Sequence, residues 1–487
     1  MKPSIPDSLE SATRRRGGRT LFAIILLSTV LRLVVAGYQG DEIDTLPGIY
    51  DQVSYHTLAD RVLDGHGFSF ATNWWPATKA NQPTAHWSFL YTLYLVAIYG
   101  VFGVHPLVAR LVQALIVGIL QPWLTWRIAG RIFSRRVALL AAGVSAVYAY
   151  FIYYAGALMS EAFYIVALLL VFDLVMRLGE RPDAANRGRE AWSLWLSLGL
   201  VLGIAALLRQ VFLLVIPLLF AWIIVRRLMG RQDEGPADPG WAMKTLSKRF
   251  PLRGLLVASL VLLATIVPWT VRNYLAFHQF VLLNTNAGFV LFWGNHPIHK
   301  DHFIPILPAG GPSYVDLLPI SLKKLDEASL DRALMKRGIG FVTADPTRFA
   351  LLSLSRAEEY FRFWPSRDSS LASNLARLLS FGILLPFMLI GIASCATARR
   401  DRTDRGGDGR TANAVLLLLF AASYTLIHLL TWTLIRYRVP VDGILVIFAA
   451  SGLWAVAGVA LDAVRRFTRP ETAQQAWSAA SIKRSDR

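Results

Sequence analysis

The sequence has 487 residues, of which 54% are hydrophobic and 17% are charged, and its formal net charge is +18. Its mean hydropathy of +0.44 and its recurring apolar runs exclude an ordinary soluble domain and indicate transmembrane helices. The lone Cys395 excludes an internal disulfide framework and a cysteine zinc site. No nucleic-acid partner is expected, because the basic residues lie between the apolar runs, where the positive-inside rule places them.

The apolar pattern predicts an all-α polytopic membrane protein with about ten transmembrane helices. The first span follows Arg14, Arg15 and Arg16 and lacks a small-residue cleavage site, which indicates a retained helix rather than a signal peptide. The predicted spans are 21–37, 108–130, 137–157, 162–177, 191–208, 210–226, 254–270, 375–395, 412–430 and 440–462.

Orientation follows from the basic residues. With the N-terminus inside, every dense basic run falls on the cytoplasmic side, and both ends of the chain lie there. The aromatic run 87–103 would reverse this arrangement if it crossed the membrane, so we expect an interfacial or partly inserted helix instead. The predicted segments are a basic N-terminus (1–20), a transmembrane module (21–270) with a first external loop (38–107), an external region of loops and short helices (271–374), C-terminal transmembrane helices (375–462) and a cytoplasmic tail (463–487).

The first external loop is acidic in a basic protein, with six carboxylates against Arg61 and Lys79. Its central residue is Asp51, which shares a helical face with Tyr55 if 50–63 is a helix. A solvated carboxylate or a helix N-cap is the alternative reading of Asp51. Glu161 follows the third span on the same predicted side, so the two carboxylates can converge on one pocket, although Glu161 beside Ser160 also suits helix capping.

Arginines at the external boundaries are candidate anion ligands, because the guanidinium fork suits phosphate. Snorkelling to the interface is the alternative for each of them. Mid-span charge is expected only near Arg209. The candidates are Arg209, Arg272, Arg436 and Arg438.

Metal binding is a weaker possibility. Asp41 and Asp44, next to Glu42, offer oxygen ligands for a divalent cation, but they also read as a hydrated acidic loop. The spacing of His296, His299 and His302 is interrupted by Pro297, which favours a polar loop over a zinc site. No phosphate-binding glycine loop, dinucleotide fingerprint or nucleophile motif is present.

Four motifs in order resemble the GT-C superfamily, specifically the family 39, protein-mannosyltransferase-like glycosyltransferases that include the lipid A aminoarabinose transferases. The resemblance covers most of the chain and departs at His86-Trp87-Ser88-Phe89, where relatives carry prolines. The motifs are Asp51 to Ala59 with Leu63 to Phe68, Ser160-Glu161, Pro268 to Tyr274 with Asn284 to Gly288 and Trp293 to Asn295, and Arg436-Tyr437-Arg438-Val439-Pro440.

This resemblance implies a bacterial inner-membrane enzyme that transfers a sugar, with inversion, from a polyprenyl-phosphate donor to a lipid, glycan or protein acceptor outside. Asp51 would be the base, Glu161 would orient hydroxyl groups, and an arginine would hold the phosphate. No cofactor is required, although a divalent cation is possible. The residues expected to contact substrate are Tyr55, His86, Arg209, Arg272, Asn273, Arg436 and Arg438.

Two other functions remain open from the sequence. A flippase or transporter of lipid-linked saccharides would need basic residues deep in several spans. A polysaccharide polymerase or oligosaccharide ligase would share the arginines and the external loops, but would use a lipid pyrophosphate donor and would not need the first-loop Asp pattern.

Overall fold

A computed structural model describes residues 7–43, 50–180, 189–229, 251–308, 310–367, 369–398 and 407–468. These residues are almost entirely helical, and the described ranges contain only two isolated β-bridges, Ser69–Pro83 and Trp74–Thr78. The all-α prediction is therefore confirmed. Such a fold suits lipid, because a helix satisfies its backbone hydrogen bonds internally.

Eight of the described helices are long and apolar enough to cross a membrane, and a ninth crossing results if one bent helix pair counts as a single span. The remaining predicted span, 191–208, corresponds to a shorter apolar helix, Trp192–Leu208. The predicted count of ten is thus approximate, although each predicted span coincides with a helix. The helices that coincide with the ten predicted spans are α1 (Asp7–Gln39), α4 (Pro106–Ile132), α5 (Arg135–Val147) with α6 (Ala149–Gly156), α7 (Glu161–Glu180), α8 (Arg189–Leu208), α9 (Ile216–Met229), α10 (Leu252–Phe277), α14 (Leu371–Arg377) running through a π-helical turn into α15 (Ile383–Ala398), α16 (Gly407–Leu430) and α17 (Ile435–Thr468).

The bent pair is α5 and α6, which meet at an angle of 51°. Tyr148 lies at the break with an extended backbone, and its hydroxyl donates to Asp442 of α17 at 2.7 Å. The sequence analysis treats 137–157 as one straight span. The bend was not foreseen because it depends on a buried polar partner almost three hundred residues away.

The basic ends of the helices lie together at one end of the bundle. Arg131 of α4 pairs with Glu180 at the end of α7 at 2.5 Å, and Glu180 also accepts from Asn413 near the start of α16. Arg227 of α9 donates to the carbonyl of Leu178. These contacts bring the described basic ends of α4 and α9 to the same side as the end of α7 and the start of α16.

The opposite end carries the first external loop. Arg110 in α4 donates to the backbone carbonyls of Gln39 and Gly40 at the end of α1, and the carboxylate of Asp41 accepts from the backbone N–H of Leu107 at 2.8 Å. The chain therefore leaves α1 and enters α4 at the same end. All of the described residues between these two helices, including α2 (Asp51–Leu63) and α3 (Phe89–Phe102), belong to that end.

Helix α3 does not cross the membrane. Ser88, just before it, donates to the carbonyl of Leu207 at 2.8 Å, beside the external end of α8, and Gly103 ends it close to α4. Its 14 residues extend about 21 Å, which is less than the roughly 30 Å of a hydrocarbon core. The helix is thus too short to cross, and the interfacial position of 87–103 stays a prediction.

The external region after α10 forms a small helical cap, defined here as the described part of residues 278–370. It contains α11 (Ala287–Gly294), α12 (Glu327–Ala344) and α13 (Pro346–Tyr360). Helices α11 and α12 approach very closely, since a Cβ atom on Gly288 would lie 1.8 Å from the carbonyl oxygen of Asp331. The core of the cap consists of Phe289, Phe292, Trp293, Leu318, Leu330 and Leu334.

Charged side chains inside the spans are more numerous than expected. Arg32 of α1 is fully buried and donates to the hydroxyl of Ser28 at 2.6 Å and to the carbonyls of Ser145 and Ala146. Asp173 of α7 is buried and pairs with Arg127 at 2.8 Å. The expectation of mid-span charge only near Arg209 was wrong, because Asp173 is paired with an arginine of another helix and Arg32 is hydrogen-bonded by neutral oxygen acceptors.

Candidate active site

Two ion pairs lie side by side at the external end of the bundle. Asp51 of α2 accepts a hydrogen bond from Arg436 of α17, and Glu161 of α7 accepts one from Arg209 at 2.5 Å. Side-chain exposure is 19% for Asp51 and 12% for Arg436, against 1% for Glu161 and 14% for Arg209. Both carboxylates and two of the four arginines that the sequence singles out therefore meet in one place.

The ring of Tyr437 connects the two pairs. The guanidinium of Arg436 lies 5.3 Å from the ring centroid, and that of Arg209 lies 5.6 Å from it. The ring is held in turn by His428 of α16, which stacks on it at 4.8 Å. Because an aromatic face attracts cations, Tyr437 stabilises two positive charges close together. This residue was not among those predicted from the sequence.

Asp51 is positioned by the residues that follow it in α2. The side chain of the adjacent Gln52 accepts from the backbone N–H of Leu158 at 2.9 Å, in the turn that leads into α7. One turn along the helix, Tyr55 packs edge-on against Trp87 at 5.7 Å and Tyr91 at 4.9 Å. The helix predicted over 50–63 is thus observed, with Asp51 as its first residue and Tyr50 as its N-cap. Asp51 is therefore not the capping residue.

Glu161 is the first residue of α7, and the turn before it is tightly tethered. The amide of Gln113 in α4 donates to the carbonyls of Tyr154, Ala155 and Ala157 at 2.7 to 3.2 Å, while its oxygen accepts from Tyr91 at 2.9 Å. Its partner Arg209 has an extended backbone at the break between α8 and α9. This break in the helix allows a charged side chain to point back into the bundle end.

The cluster is neutral but not saturated. Two carboxylates balance two guanidinium groups, yet the Nε atoms of Arg209 and Arg436 and the Oε2 atom of Glu161 have no hydrogen-bond partner in the part of the chain that the structure describes. Buried polar groups normally find partners. Such unsatisfied atoms at a cluster of charges are typical of a site that is completed by a ligand.

Two further predicted residues lie next to this cluster. Burial, with the negative charges of Asp51 and Glu161, raises the pKa of Tyr55 far above its usual range, so its hydroxyl stays protonated. Burial lowers the pKa of His86 against the opposing effect of Glu327, and the His86 ring lies within hydrogen-bond distance of the Thr285 carbonyl, 3.2 Å away. Both side chains are neutral at neutral pH and supply hydrogen bonds rather than charge.

The other predicted residues lie apart from the cluster. Arg272 donates to the carbonyls of Thr84 and Phe68 and so ties α10 to the first loop. Asn273 is fully buried, and its amide donates to Val281 and Leu283.

Arg438 is also held elsewhere. It is fully buried, pairs with Asp442 at 3.1 Å and lies 3.5 Å from the ring centroid of Phe381. As with Arg272 and Asn273, these contacts fix the frame of the site.

No metal centre forms from the residues that are described. Asp41 caps α4, while Asp44 lies outside the described residues. His299 is buried and hydrogen-bonded to the Trp293 carbonyl at 2.7 Å. No group of three or more His, Cys, Asp or Glu side chains in the described ranges could hold an ion.

An apolar groove of about 540 Å³ begins beside the ion pairs. Phe163 is two residues after Glu161, Leu208 directly precedes Arg209, and Tyr91 contacts Tyr55. The groove is formed by α3, α4, α7 and α8, and its lining is entirely aliphatic and aromatic. The remaining lining residues are Leu90, Leu93, Tyr94, Ile116, Leu120, Val166, Ala167, Leu170, Val201 and Ile204.

Glu327 of the cap joins the two external segments and was missed by the sequence analysis. Its buried carboxylate accepts from the hydroxyls of Thr78 and Thr285 and from the backbone N–H of Ala85, at 2.5 to 2.8 Å. These contacts fix the segment that carries His86. The only signal in the sequence was an acidic residue on an amphipathic stretch, which surface helices share.

Comparisons with known proteins agree with this architecture. The family described as dolichyl-phosphate-mannose-protein mannosyltransferase matches residues 87–233. The oligosaccharyltransferase AglB from Archaeoglobus fulgidus, solved with an inhibitory peptide and a dolichol-phosphate, is similar at a TM-score of 0.56 and 14% identity, covering 94% of this chain and 52% of that one. A structure of the Archaeoglobus fulgidus oligosaccharyltransferase with Zn and sulfate is similar at a TM-score of 0.52 and 14% identity. This match covers 90% of this chain and 49% of that one.

ArnT from Cupriavidus metallidurans bound to undecaprenyl phosphate aligns at 14% identity over 92% of this chain and 81% of that one, with a TM-score of only 0.37. No curated protein sequence matches. The chain spans about half the length of the oligosaccharyltransferase structures. The resemblance inferred from the motifs is confirmed at the level of fold: the chain shares the helical membrane fold of these oligosaccharyltransferase structures.

Proposed function

We propose that the protein is a membrane glycosyltransferase that moves a sugar from a polyprenyl-phosphate donor to a hydroxyl group of a cell-envelope lipid, glycan or protein. The observation that carries this proposal is the meeting of two carboxylate–arginine pairs, with an apolar groove whose lining includes Leu208, the residue directly before Arg209. A lipid-linked sugar has the matching parts in the same order: an apolar tail, an anionic phosphate and a polar sugar.

The groove and the arginines form the donor site. The lining of the groove suits a polyprenyl tail, since binding pockets for apolar groups bury them against aliphatic and aromatic side chains. Arg209, which follows the groove residue Leu208, and its neighbour Arg436 suit the phosphate, because guanidinium groups bind its oxygens bidentately. The dolichol-phosphate in the AglB complex supports a lipid phosphate as the ligand of this fold.

Asp51 acts as the general base. The attacking hydroxyl of the acceptor gives its proton to the Asp51 carboxylate, its oxygen bonds to the anomeric carbon, and the bond from that carbon to the phosphate oxygen breaks. A single displacement of this kind inverts the anomeric configuration. Arg436 and Arg209 stabilise the negative charge that develops on the departing phosphate.

Glu161 and the neutral side chains around it orient the reactants. Glu161 is buried and held by Arg209, so it suits hydrogen bonding to sugar hydroxyls better than proton abstraction. Tyr55 and His86 line the approach from the cap, where an acceptor would enter. We assign Arg272, Asn273 and Arg438 to positioning, since their contacts join the loops that surround the site.

The site faces the outside of the cytoplasmic membrane in this proposal. The basic helix ends form the opposite face of the bundle, and the positive-inside rule places that face in the cytoplasm. An external site also suits acceptors of the cell envelope.

The test is sugar transfer from a polyprenyl-phosphate donor to extracted envelope acceptors, comparing membranes with equal amounts of wild type, Asp51→Asn and Asp60→Asn. Asp60 lies on the same helix and serves as the matched charge control. Loss of a general base lowers rates by about 10²- to 10⁴-fold, so Asp51→Asn should be nearly inactive and Asp60→Asn near wild type. Full activity of Asp51→Asn would refute Asp51 as the base. If the wild-type protein transferred no sugar from any monophosphate donor, a flippase or a polymerase would be favoured instead.

A further inference from the structure

We propose that Arg436 serves the base and the leaving group in turn: it holds Asp51 in the free protein and transfers to the donor phosphate when the donor binds. Asp51 is then free to accept a proton only in the donor complex. This inference rests on the proposed function and adds an order to it, since the acceptor can be activated only after the donor phosphate is in place.

The two ion pairs differ in a way that supports this exchange. The carboxylates differ, since Glu161 is 1% exposed and Asp51 is 19% exposed, while the two arginines are exposed to a similar degree, 14% for Arg209 and 12% for Arg436. Among the described residues, Arg436 is the one hydrogen-bond partner of the Asp51 side chain. The carboxylate can therefore leave at the cost of a single interaction, and an incoming anion can reach the guanidinium from the same side.

Arg436 is built to stay in place while its partner changes. Its guanidinium lies over the Tyr437 ring, and that ring is stacked on His428. The Nε atom of Arg436 is buried and has no hydrogen-bond partner among the described residues. A guanidinium donates up to five hydrogen bonds in a fixed fork, so donors remain for a second anion.

The charges of the reaction balance along this path. The donor is a phosphodiester with one negative charge, and the phosphate monoester that leaves carries two once it is fully ionised. Asp51 loses its negative charge as it takes the proton of the acceptor hydroxyl. The negative charge next to Arg436 therefore moves from the carboxylate to the phosphate, and the total charge in the site does not change.

Competition for Arg436 has a measurable consequence. If Asp51 and the phosphate compete for one guanidinium, removal of the Asp51 charge should tighten phosphate binding although it abolishes transfer. A residue that merely contacted the donor, or one that supported the fold, would weaken binding when replaced. The direction of the effect thus separates the exchange from both simpler roles.

The experiment measures binding of undecaprenyl phosphate to the purified full-length protein in lipid nanodiscs. Asp51→Asn should bind roughly 2- to 5-fold more tightly than wild type, which corresponds to the loss of one competing, partly exposed ion pair. Arg436→Gln should bind more weakly than wild type. Asp60→Asn should match wild type, because it removes a charge from the same helix without touching Arg436.

Three outcomes would overturn the inference. Equal or weaker binding by a folded Asp51→Asn would show that the carboxylate does not compete with phosphate. An equal gain in Asp60→Asn would reduce the effect to general electrostatics. If the wild-type protein itself does not bind undecaprenyl phosphate, the proposed donor site is refuted. If the wild-type protein binds it and Asp51→Asn shows no gain in affinity, only the exchange of Arg436 is refuted.

Discussion

Removal of the Glu327 carboxylate should loosen the junction between the first external loop and the cap. The carboxylate is 6% exposed and accepts three hydrogen bonds, from Thr78, Ala85 and Thr285. Glu327→Ala leaves all three donors without this acceptor, including the buried N–H of Ala85. Since a hydrogen bond to a charged group contributes about 1.5 to 3 kcal/mol and some donors will rehydrate, we expect a local loss of about 3 to 5 kcal/mol.

Glu327→Gln is the matched control. Its amide oxygen can still accept from Ala85 and Thr285, and the Thr78 hydroxyl can rotate to accept from the amide nitrogen. We therefore expect it to lose only about 1 to 2 kcal/mol. Comparing Glu327→Ala with Glu327→Gln separates the loss of the hydrogen-bond acceptor from the loss of side-chain volume.

The assay is hydrogen exchange by mass spectrometry on peptides that cover residues 78–88 and 284–287. A local loss of 3 kcal/mol corresponds to an exchange rate of these amides about 100-fold faster, because each 1.4 kcal/mol is a factor of ten. Peptides from α7 should not change. The reasoning would be refuted if Glu327→Ala exchanged like wild type, or if Glu327→Gln exchanged as fast as Glu327→Ala.

Three other changes have defined outcomes. Treatment with EDTA should leave sugar transfer intact, because Asp51 and Glu161 are already paired with arginines; activity lost to EDTA and restored by Mg²⁺ or Mn²⁺ would contradict this. Burial lowers the pKa of His299 to about 4, so the stability that the neutral ring contributes is complete above pH 6.5 and is lost as the pH falls toward 4. The unfolding temperature should fall over this window in wild type, and a similar fall in His299→Gln would exclude the imidazole. Arg438→Leu leaves Asp442 buried without its cation and should destabilise by about 3 to 5 kcal/mol; thermal unfolding of the Arg438→Leu/Asp442→Leu double variant should show a smaller loss, and equal losses would show that the two side chains are not coupled.

The membrane-spanning helices could be predicted from the sequence because the length of an apolar run and its aromatic content are local signals. The interfacial position of 87–103 could be inferred because a crossing there would have reversed every later basic loop. The helix over 50–63 was a condition for Asp51 and Tyr55 to share a face, and the structure shows this helix. The bend at Tyr148 could not be predicted, since it is coupled to Asp442 in the last span.

The candidate site was only partly predictable for the same physical reason. Asp51, Glu161, Arg209 and Arg436 were recognisable because charged residues at membrane boundaries are costly and suggest a purpose. Which carboxylate pairs with which arginine depends on the packing of α2, α7 and α17, and no single segment encodes that. Arg438 lies in the same boundary motif as Arg436, yet two residues further along α17 its side chain pairs with Asp442 rather than Asp51.

The most direct measurement is the rate of sugar transfer by Asp51→Asn, made together with its affinity for undecaprenyl phosphate on the same purified protein. We expect transfer to fall by about 10²-fold or more while the lipid phosphate binds more tightly than to wild type. Transfer at the wild-type rate would contradict Asp51 as the base. Loss of transfer together with loss of binding would contradict the division of roles between Asp51 and Arg436.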